Sequence, residues 1–216
     1  MAAGQLFPSL SRNAERLSQE TSAIGAQRTQ LLEQAAQQIV ARFKAEEPLH
    51  FSVVCTHNAR RSQMGQAWLN ALASFHGLSN VHAYSAGTET SAFHPNAVKA
   101  LQSMGFQIKE ASQGPNPHYL TQIGAAAPSF EQFSKTLDDP SIPKEHLVAI
   151  MVCRSADEAC PFVPGASLRL SIPFEDPGKT DQTPEAPAAY LATSEEIGRS
   201  FNHLIAAVKK GWNKKA

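Results

Sequence analysis

The stretch His50-Phe-Ser-Val-Val-Cys-Thr-His-Asn-Ala-Arg-Arg-Ser-Gln-Met-Gly-Gln-Ala-Trp68 decides the fold. Leu49 to Val54 is an apolar, β-branched run of strand length, and from Ser62 onward Met64, Ala67, Trp68, Leu69, Leu72 and Phe75 recur at helical spacing. Cys55 to Arg61 therefore joins a strand to a helix. A short loop curling into a helix N-terminus turns its backbone N–H groups inward, and together with the helix dipole it forms an anion-binding hollow. Cys55 stands at the base of that hollow and Arg61 at its rim, with Ser62 next in line.

Each residue type has a physical task there. A helix N-terminus and a nearby arginine favour a thiolate over a thiol, and the thiolate is the nucleophile. Arg61 offers a planar fork that can hold two oxygens of a tetrahedral oxyanion, a geometry that lysine lacks. Ser62 can donate its hydroxyl to the sulfur, and Asn58 can tie the loop to itself. Thr56, His57, Asn58, Ala59, Arg60, Arg61 and Ser62 are thus the expected oxyanion-binding residues. The arrangement suits displacement at phosphate or arsenate. The alternative is an ordinary core cysteine at the end of a buried strand.

Working outward, 216 residues with balanced charge and 42% hydrophobic content fit one globular domain with an added element. The N-terminus lacks a basic region followed by an apolar one, and no apolar run approaches the roughly 20 residues needed to span a bilayer. The expectation is a cytoplasmic protein with no membrane partner. Zero net charge gives no case for nucleic acid. Three cysteines suit catalysis or redox switching in a reducing compartment better than a secreted disulfide framework.

Ser9 to Glu47 reads as two helices broken at Gly25, the second with an apolar face of Leu31, Leu32, Ala35, Ile39, Val40 and Phe43. Residues 1–48 are therefore assigned to an N-terminal helical extension and 49–216 to the main domain. The extension is expected to pack on that domain, with a dimerisation hairpin as the alternative. Val81 to Ser85 is a second strand, His94-Pro95-Asn96 opens a helix that Gly105 stops, and His94 is expected to cap it. Phe106 to Lys109 is a weak strand, and Asn116 to Leu137 has room for a short strand pair. Asp138-Asp139-Pro140 reads as a turn.

Leu147 to Val152 is wholly apolar and belongs at the centre of a parallel sheet. It runs into Cys153-Arg-Ser-Ala-Asp-Glu-Ala-Cys160-Pro161, at the carboxyl end where doubly wound sheets keep their sites. Zinc is a competing idea, but it normally takes four ligands and the remaining cysteine is needed as a nucleophile, so no metal is expected. A buried cysteine beside an incidental one is the plain alternative. Leu168 to Ile172 is a last strand, followed by Pro173-Phe174-Glu175-Asp176-Pro177-Gly178. Asp-Pro-Gly also suits a simple turn. Glu185 to Lys210 reads as a long amphipathic helix with a frayed basic tail at Lys209, Lys210, Lys214 and Lys215. The fold class is α/β, a four-stranded, mainly parallel sheet flanked by helices.

The loop, with Cys55, Asn58, Arg61 and Ser62, resembles that of the low-molecular-weight protein tyrosine phosphatases and of the thioredoxin-coupled arsenate reductases built on the same fold. The Ser-Ala-Gly-Thr-Glu run after the second strand fits the same likeness. Cys153, Cys160 and Pro161 resemble the second and third cysteines of the arsenate reductases, a pair that plain phosphatases lack. What the resemblance implies is a three-cysteine relay: Cys55 attacks arsenate, Cys153 attacks the adduct and releases arsenite, and Cys160 resolves the disulfide. It implies a thioredoxin-like reductant, no tightly bound cofactor, a mobile Cys153 to Cys160 loop and Asp176 as general acid, with Glu175 a weaker candidate. The alternative function is phosphomonoester hydrolysis through a cysteinyl-phosphate on Cys55; a non-enzymatic oxyanion binder would need neither acid nor thiol pair.

The sequence departs from the family pattern at three places. Arg60 stands where the relatives commonly have a second loop cysteine and adds positive charge beside the oxyanion site. His57 replaces a small residue and is expected to tune the pocket. Gln66 stands where some arsenate reductases have a glutamate that helps to bind potassium, so that ion is not expected. Tyr119 and Phe174 are loose candidates for aromatic cleft walls.

Overall fold

The computed structural model describes residues 6–160 and 162–215. Strands β1 (Leu49–Cys55), β2 (Val81–Gly87), β6 (Leu147–Met151) and β7 (Ala166–Ser171) form one sheet in the order β2-β1-β6-β7, every pair parallel. β1 and β6 are central and apolar because helices cover both faces; Phe51, Val53, Val54 and all of β6 are buried. The parallel register sets Cys55 opposite Gly87 at the carboxyl edge.

Helix α3 (Arg61–Phe75) follows the Cys55 loop, and its burial exceeds the expected stripe: every residue from Ser62 to Leu69 is buried. It lies between the sheet and α6 (Ala186–Asn213). Trp68 meets Phe106 edge-on at 5.1 Å between centroids and donates its indole N–H to Ser194 Oγ at 3.0 Å. Helix α4 (Pro95–Ser103) begins with His94, whose Nδ1 accepts from the Asn96 N–H at 3.3 Å, and ends where Gly105 adopts φ +100°.

The N-terminal helices α1 (Pro8–Gln19) and α2 (Ala26–Arg42) pack on α6, and their Leu10, Leu17, Leu32 and Ile39 join the same buried core as the strands. Ion pairs of Glu20 with Arg16 and Arg199 bridge α1 to α6. Of the apolar face of α2, Leu32, Ala35, Ile39 and Phe43 are buried within the chain and Val40 packs on the same core, while Leu31 stays half-exposed.

Three features differ from the sequence expectation. The weak strand, β3 (Gln107–Glu110), joins β4 (Tyr119–Gln122) and β5 (Phe130–Gln132) in a three-stranded antiparallel sheet instead of leaving a pair. Cys153 to Cys160 is not an open loop: Arg154–Ala159 forms a short helix, α5, because Asp157 is held by Arg169 at 2.5 Å and by Ser171 Oγ at 2.7 Å. The basic tail does not fray at Lys209 and Lys210, since α6 runs on to Asn213; Lys209 caps the His76 carbonyl at 2.7 Å and Lys215 that of Val40 at 2.8 Å. Asp138-Asp139-Pro140 is a turn, closed by the Ile142 N–H on the Asp139 carbonyl at 3.1 Å. Pro161 lies outside the described residues. Among those described, no helix is long and apolar enough to cross a membrane.

Candidate active site

The loop owes its shape to what happens to its carbonyls. That of Cys55 accepts from Thr88 N–H, that of Thr56 from Glu89 N–H, that of Ala59 from His94 N–H and that of Arg60 from Met64 N–H, at 2.9 to 3.3 Å. The His57 carbonyl takes the hydroxyls of Ser91 and Ser134, and that of Asn58 takes Gln63 Nε2. All the carbonyls from Cys55 to Arg60 are therefore turned outward. Among the described residues, the N–H groups of Thr56, His57, Asn58, Ala59 and Arg60 donate to no protein group. Such a nest of inward N–H groups at the start of α3 favours an anion.

Asn58 makes this turn possible. It adopts φ +47°, a left-handed conformation that asparagine tolerates better than most residues. Its Oδ1 accepts from the Lys135 N–H at 2.9 Å and its Nδ2 donates to Ser62 Oγ at 2.8 Å. Ser62 Oγ in turn lies 3.0 Å from Cys55 Sγ, so its one proton is free for the sulfur. Beneath the loop Gly87 has no room for a side chain: a Cβ would stand 2.6 Å from the Thr56 carbonyl and 2.8 Å from the Asn58 nitrogen.

Arg61 donates through Nη1 to the Phe174 carbonyl at 3.0 Å and through Nη2 to Asp176 Oδ2 at 2.5 Å, while its buried Nε has no partner. Asp176 also caps the short 3₁₀ turn Pro177–Thr180 by accepting from the Gly178 N–H at 3.0 Å. The fold thus brings Asp176 to the loop rim from a strand exit 115 residues away in the chain. Glu175 points elsewhere, exposed and paired with Lys179 at 3.2 Å, which removes the weaker acid candidate.

Cys153 is buried at the start of α5, where its sulfur accepts from the Ala156 N–H at 3.4 Å. The Thr56 hydroxyl lies 3.5 Å from that sulfur, which ties Cys153 to the residue next to Cys55. Cys160 ends the same helix, half-buried, with its thiol 3.1 Å from the Phe162 carbonyl. All three cysteines are free thiols. Among the described residues, no cluster of three or more His, Cys, Asp or Glu is arranged to hold a metal ion.

The departures in the loop take on structural meaning here. Arg60 does not offer a free charge to the oxyanion site: its Nε donates to Tyr190 Oη at 2.6 Å and its Nη2 to Asp181, while the Tyr190 hydroxyl donates to the other Asp181 oxygen. Burial opposes the charge on both partners, yet their hydrogen bonds hold Arg60 above its usual value and Asp181 below the usual carboxylate range. His94 stacks on Tyr190 at 5.3 Å and sits 3.4 Å from Asp181; burial and then Arg60 push its pKa down. His57 is exposed and faces Glu89 at 3.4 Å. Gln66 is taken up by Ser85 Oγ at 2.6 Å and the Glu131 carbonyl at 3.2 Å. Phe174 is buried against Phe201 and is no cleft wall, and Tyr119 packs on Phe93.

Sequence reading missed Ser134, Lys135, Asp181 and Tyr190. The first two hold the loop from 77 positions away, and no local pattern marks them. Lys135 is also buried, its ammonium 4.2 Å over the Phe133 ring, and burial brings its pKa down to about 8.

A parallel sheet with a cysteine-arginine loop at its carboxyl edge defines an enzyme that handles tetrahedral oxyanions. A profile of the low molecular weight phosphotyrosine protein phosphatases matches residues 50–123. An arsenate reductase of Halalkalibacterium halodurans is 31% identical over 147 residues, 68% of this chain and 87% of its own. One from Bacillus licheniformis is 30% identical over 152 residues, 70% of this chain and 91% of its own. Among solved structures, a low molecular weight protein tyrosine phosphatase of Bacillus subtilis superposes with a TM-score of 0.52 at 19% identity, covering 75% of this chain and 98% of that one. The chain belongs to the low molecular weight phosphotyrosine protein phosphatase family, on the side of it that includes arsenate reductases.

Proposed function

We propose that this enzyme reduces arsenate to arsenite through a thiol relay recharged by a thioredoxin-like dithiol. The observation that carries the reading is the placement of Cys153 against the Cys55 loop, with Cys160 nearer the surface at the far end of α5. Cys55 Sγ forms a bond to arsenic as an arsenic–oxygen bond breaks, and Asp176 protonates the departing hydroxyl so that it leaves as water. The oxyanion claims the N–H nest and the free Nε of Arg61. Cys153 then attacks Cys55 Sγ. The sulfur–arsenic bond breaks, its electron pair stays on arsenic, and arsenite leaves as arsenic(III) with a Cys55–Cys153 disulfide behind it. Cys160 attacks Cys153 and frees Cys55, and an external dithiol reduces the Cys153–Cys160 bond.

The last exchange requires α5 to open. Residues 153 and 160 bracket a helix of six residues, so at about 1.5 Å per residue their Cα atoms are roughly 10 Å apart. A disulfide needs about 7 Å or less. A helix this short has little stability of its own, and its ties to Arg169 and Ser171 are what must yield.

Cys160→Ser tests the relay. With thioredoxin, thioredoxin reductase and NADPH, steady-state arsenate reduction is expected to stop after about one turnover, while aryl phosphate hydrolysis stays within about threefold of wild type. Equal loss of both activities, or undiminished arsenate turnover, removes Cys160 from the relay. Asp176→Asn is expected to slow aryl phosphate hydrolysis by roughly a hundredfold or more at unchanged oxyanion binding. An unchanged rate places the acid elsewhere.

Phosphomonoester hydrolysis is the second chemistry open to Cys55, Arg61 and Asp176. With Phe174 buried, the rim lacks one aromatic surface that could select aryl groups.

A further inference from the structure

Arg28 sits on α2, in the segment that precedes the family match. Its Nη1 donates to the Pro173 carbonyl at 2.6 Å, and its guanidinium lies 4.2 Å over the Phe174 ring. Its Nε and Nη2 are buried without a hydrogen-bond partner. Burial lowers its pKa, and Glu196 only partly restores it. A buried donor without a partner pays its desolvation without the return of a hydrogen bond, so stability alone does not account for a guanidinium at this position.

The chemistry next to it explains why a cation stands there. The Phe174 ring is under Arg28, the Phe174 carbonyl takes Arg61 Nη1, and two residues on Asp176 takes Arg61 Nη2. The Phe174 N–H is held by the Val152 carbonyl at 3.0 Å, next to Cys153. Pro173 to Asp176 is therefore gripped between α2 on one side and the oxyanion loop on the other. We propose that Arg28 is a positioning residue for the reaction, holding Pro173 and Phe174 so that Asp176 reaches the leaving oxygen. The N-terminal helices thereby become part of the catalytic support. This rests on the reading of Asp176 as the acid: its carboxyl proton passes to the leaving oxygen as the bond from phosphorus or arsenic to that oxygen breaks and the bond to Cys55 Sγ forms.

The test compares Arg28→Met with Asp176→Asn on aryl phosphates, where the leaving group can be varied. When the acid is misplaced, a poor leaving group suffers and a good one does not. For Arg28→Met the rate constant with phenyl phosphate is expected to fall about tenfold, and with dinitrophenyl phosphate less than about threefold. Inhibition by inorganic phosphate should stay within twofold and Tm should hold or rise. Arg28→Lys keeps a cation and a donor and should recover most of the phenyl phosphate rate. If Arg28→Met does not fold, Arg28→Gln replaces it. Equal losses on both substrates, or a fall in Tm with no leaving-group bias, overturn the proposal. If Asp176→Asn shows the bias and the Arg28 variant does not, the positioning role alone falls. If Asp176→Asn shows none, the acid assignment falls and takes this proposal with it.

Discussion

Cys55→Ser is expected to lower turnover of arsenate and of aryl phosphate together, by roughly 10⁴-fold or more, while leaving oxyanion binding nearly intact. The reason lies in how the site is divided. Bond formation depends on the sulfur, which is 4% exposed at the base of the loop and 3.0 Å from Ser62 Oγ. An alcohol there has no adjacent base to activate it, and losing the nucleophile of such a site removes most of the rate. Binding depends on backbone N–H groups and on Arg61, which the substitution does not touch. The outward carbonyl bonds to Thr88, Glu89, Ser91, Ser134 and His94 hold that nest whether residue 55 carries sulfur or oxygen. Calorimetric titration with inorganic phosphate should give a dissociation constant within a few-fold of wild type, beside kinetics on both substrates. Residual activity above a hundredth of wild type on either substrate would falsify the assignment of Cys55 as nucleophile.

Trp68→Ala is expected to cost about 3–5 kcal/mol of stability, which for a chain of this size lowers Tm by roughly 10 °C. Trp68 is fully buried in α3 and contacts Phe106 edge-on; its indole N–H holds Ser194 of α6. The truncation leaves a cavity between three elements and strands a buried hydroxyl. Gly198 marks how close α6 comes, since a Cβ there would stand 2.8 Å from the indole. Urea unfolding should show a lower midpoint at unchanged slope. A loss below about 1 kcal/mol would mean that α3 and α6 do not share one cooperative core. The effect reaches the site indirectly, because α3 starts at Arg61 and its first turn carries Ser62.

The strand-loop-helix was legible because its signals are local. The β-branched run, the helical spacing of Met64, Ala67, Trp68 and Leu72, and the cysteine-to-arginine interval all lie within one segment whose backbone they dictate. The same holds for the wholly apolar β6, the two N-terminal helices about Gly25 and the His94 cap. The antiparallel sheet was only half legible. β3 to β5 are strands of three or four residues with mixed burial, too short for alternation to stand out. α5 reads as a loop in the sequence because six residues carry little helical signal, and it is Arg169 and Ser171 on β7 that hold it.

By itself, then, the sequence determined the central place of β6, the oxyanion loop with Cys55, Asn58, Arg61 and Ser62, and the fact that only three cysteines were present to place. Those follow from short-range backbone preference and from residue chemistry that does not depend on distant partners. Tertiary structure alone decided that Arg60 is spent on Asp181 and Tyr190, that Glu175 and Phe174 turn away from the cleft, and that Cys153 lies against Thr56. It also decided that Arg28 reaches the strand exit carrying Asp176. Side-chain direction at such positions is set by packing among residues dozens to more than a hundred apart in the chain, and no local pattern encodes which of several possible partners a charge will meet.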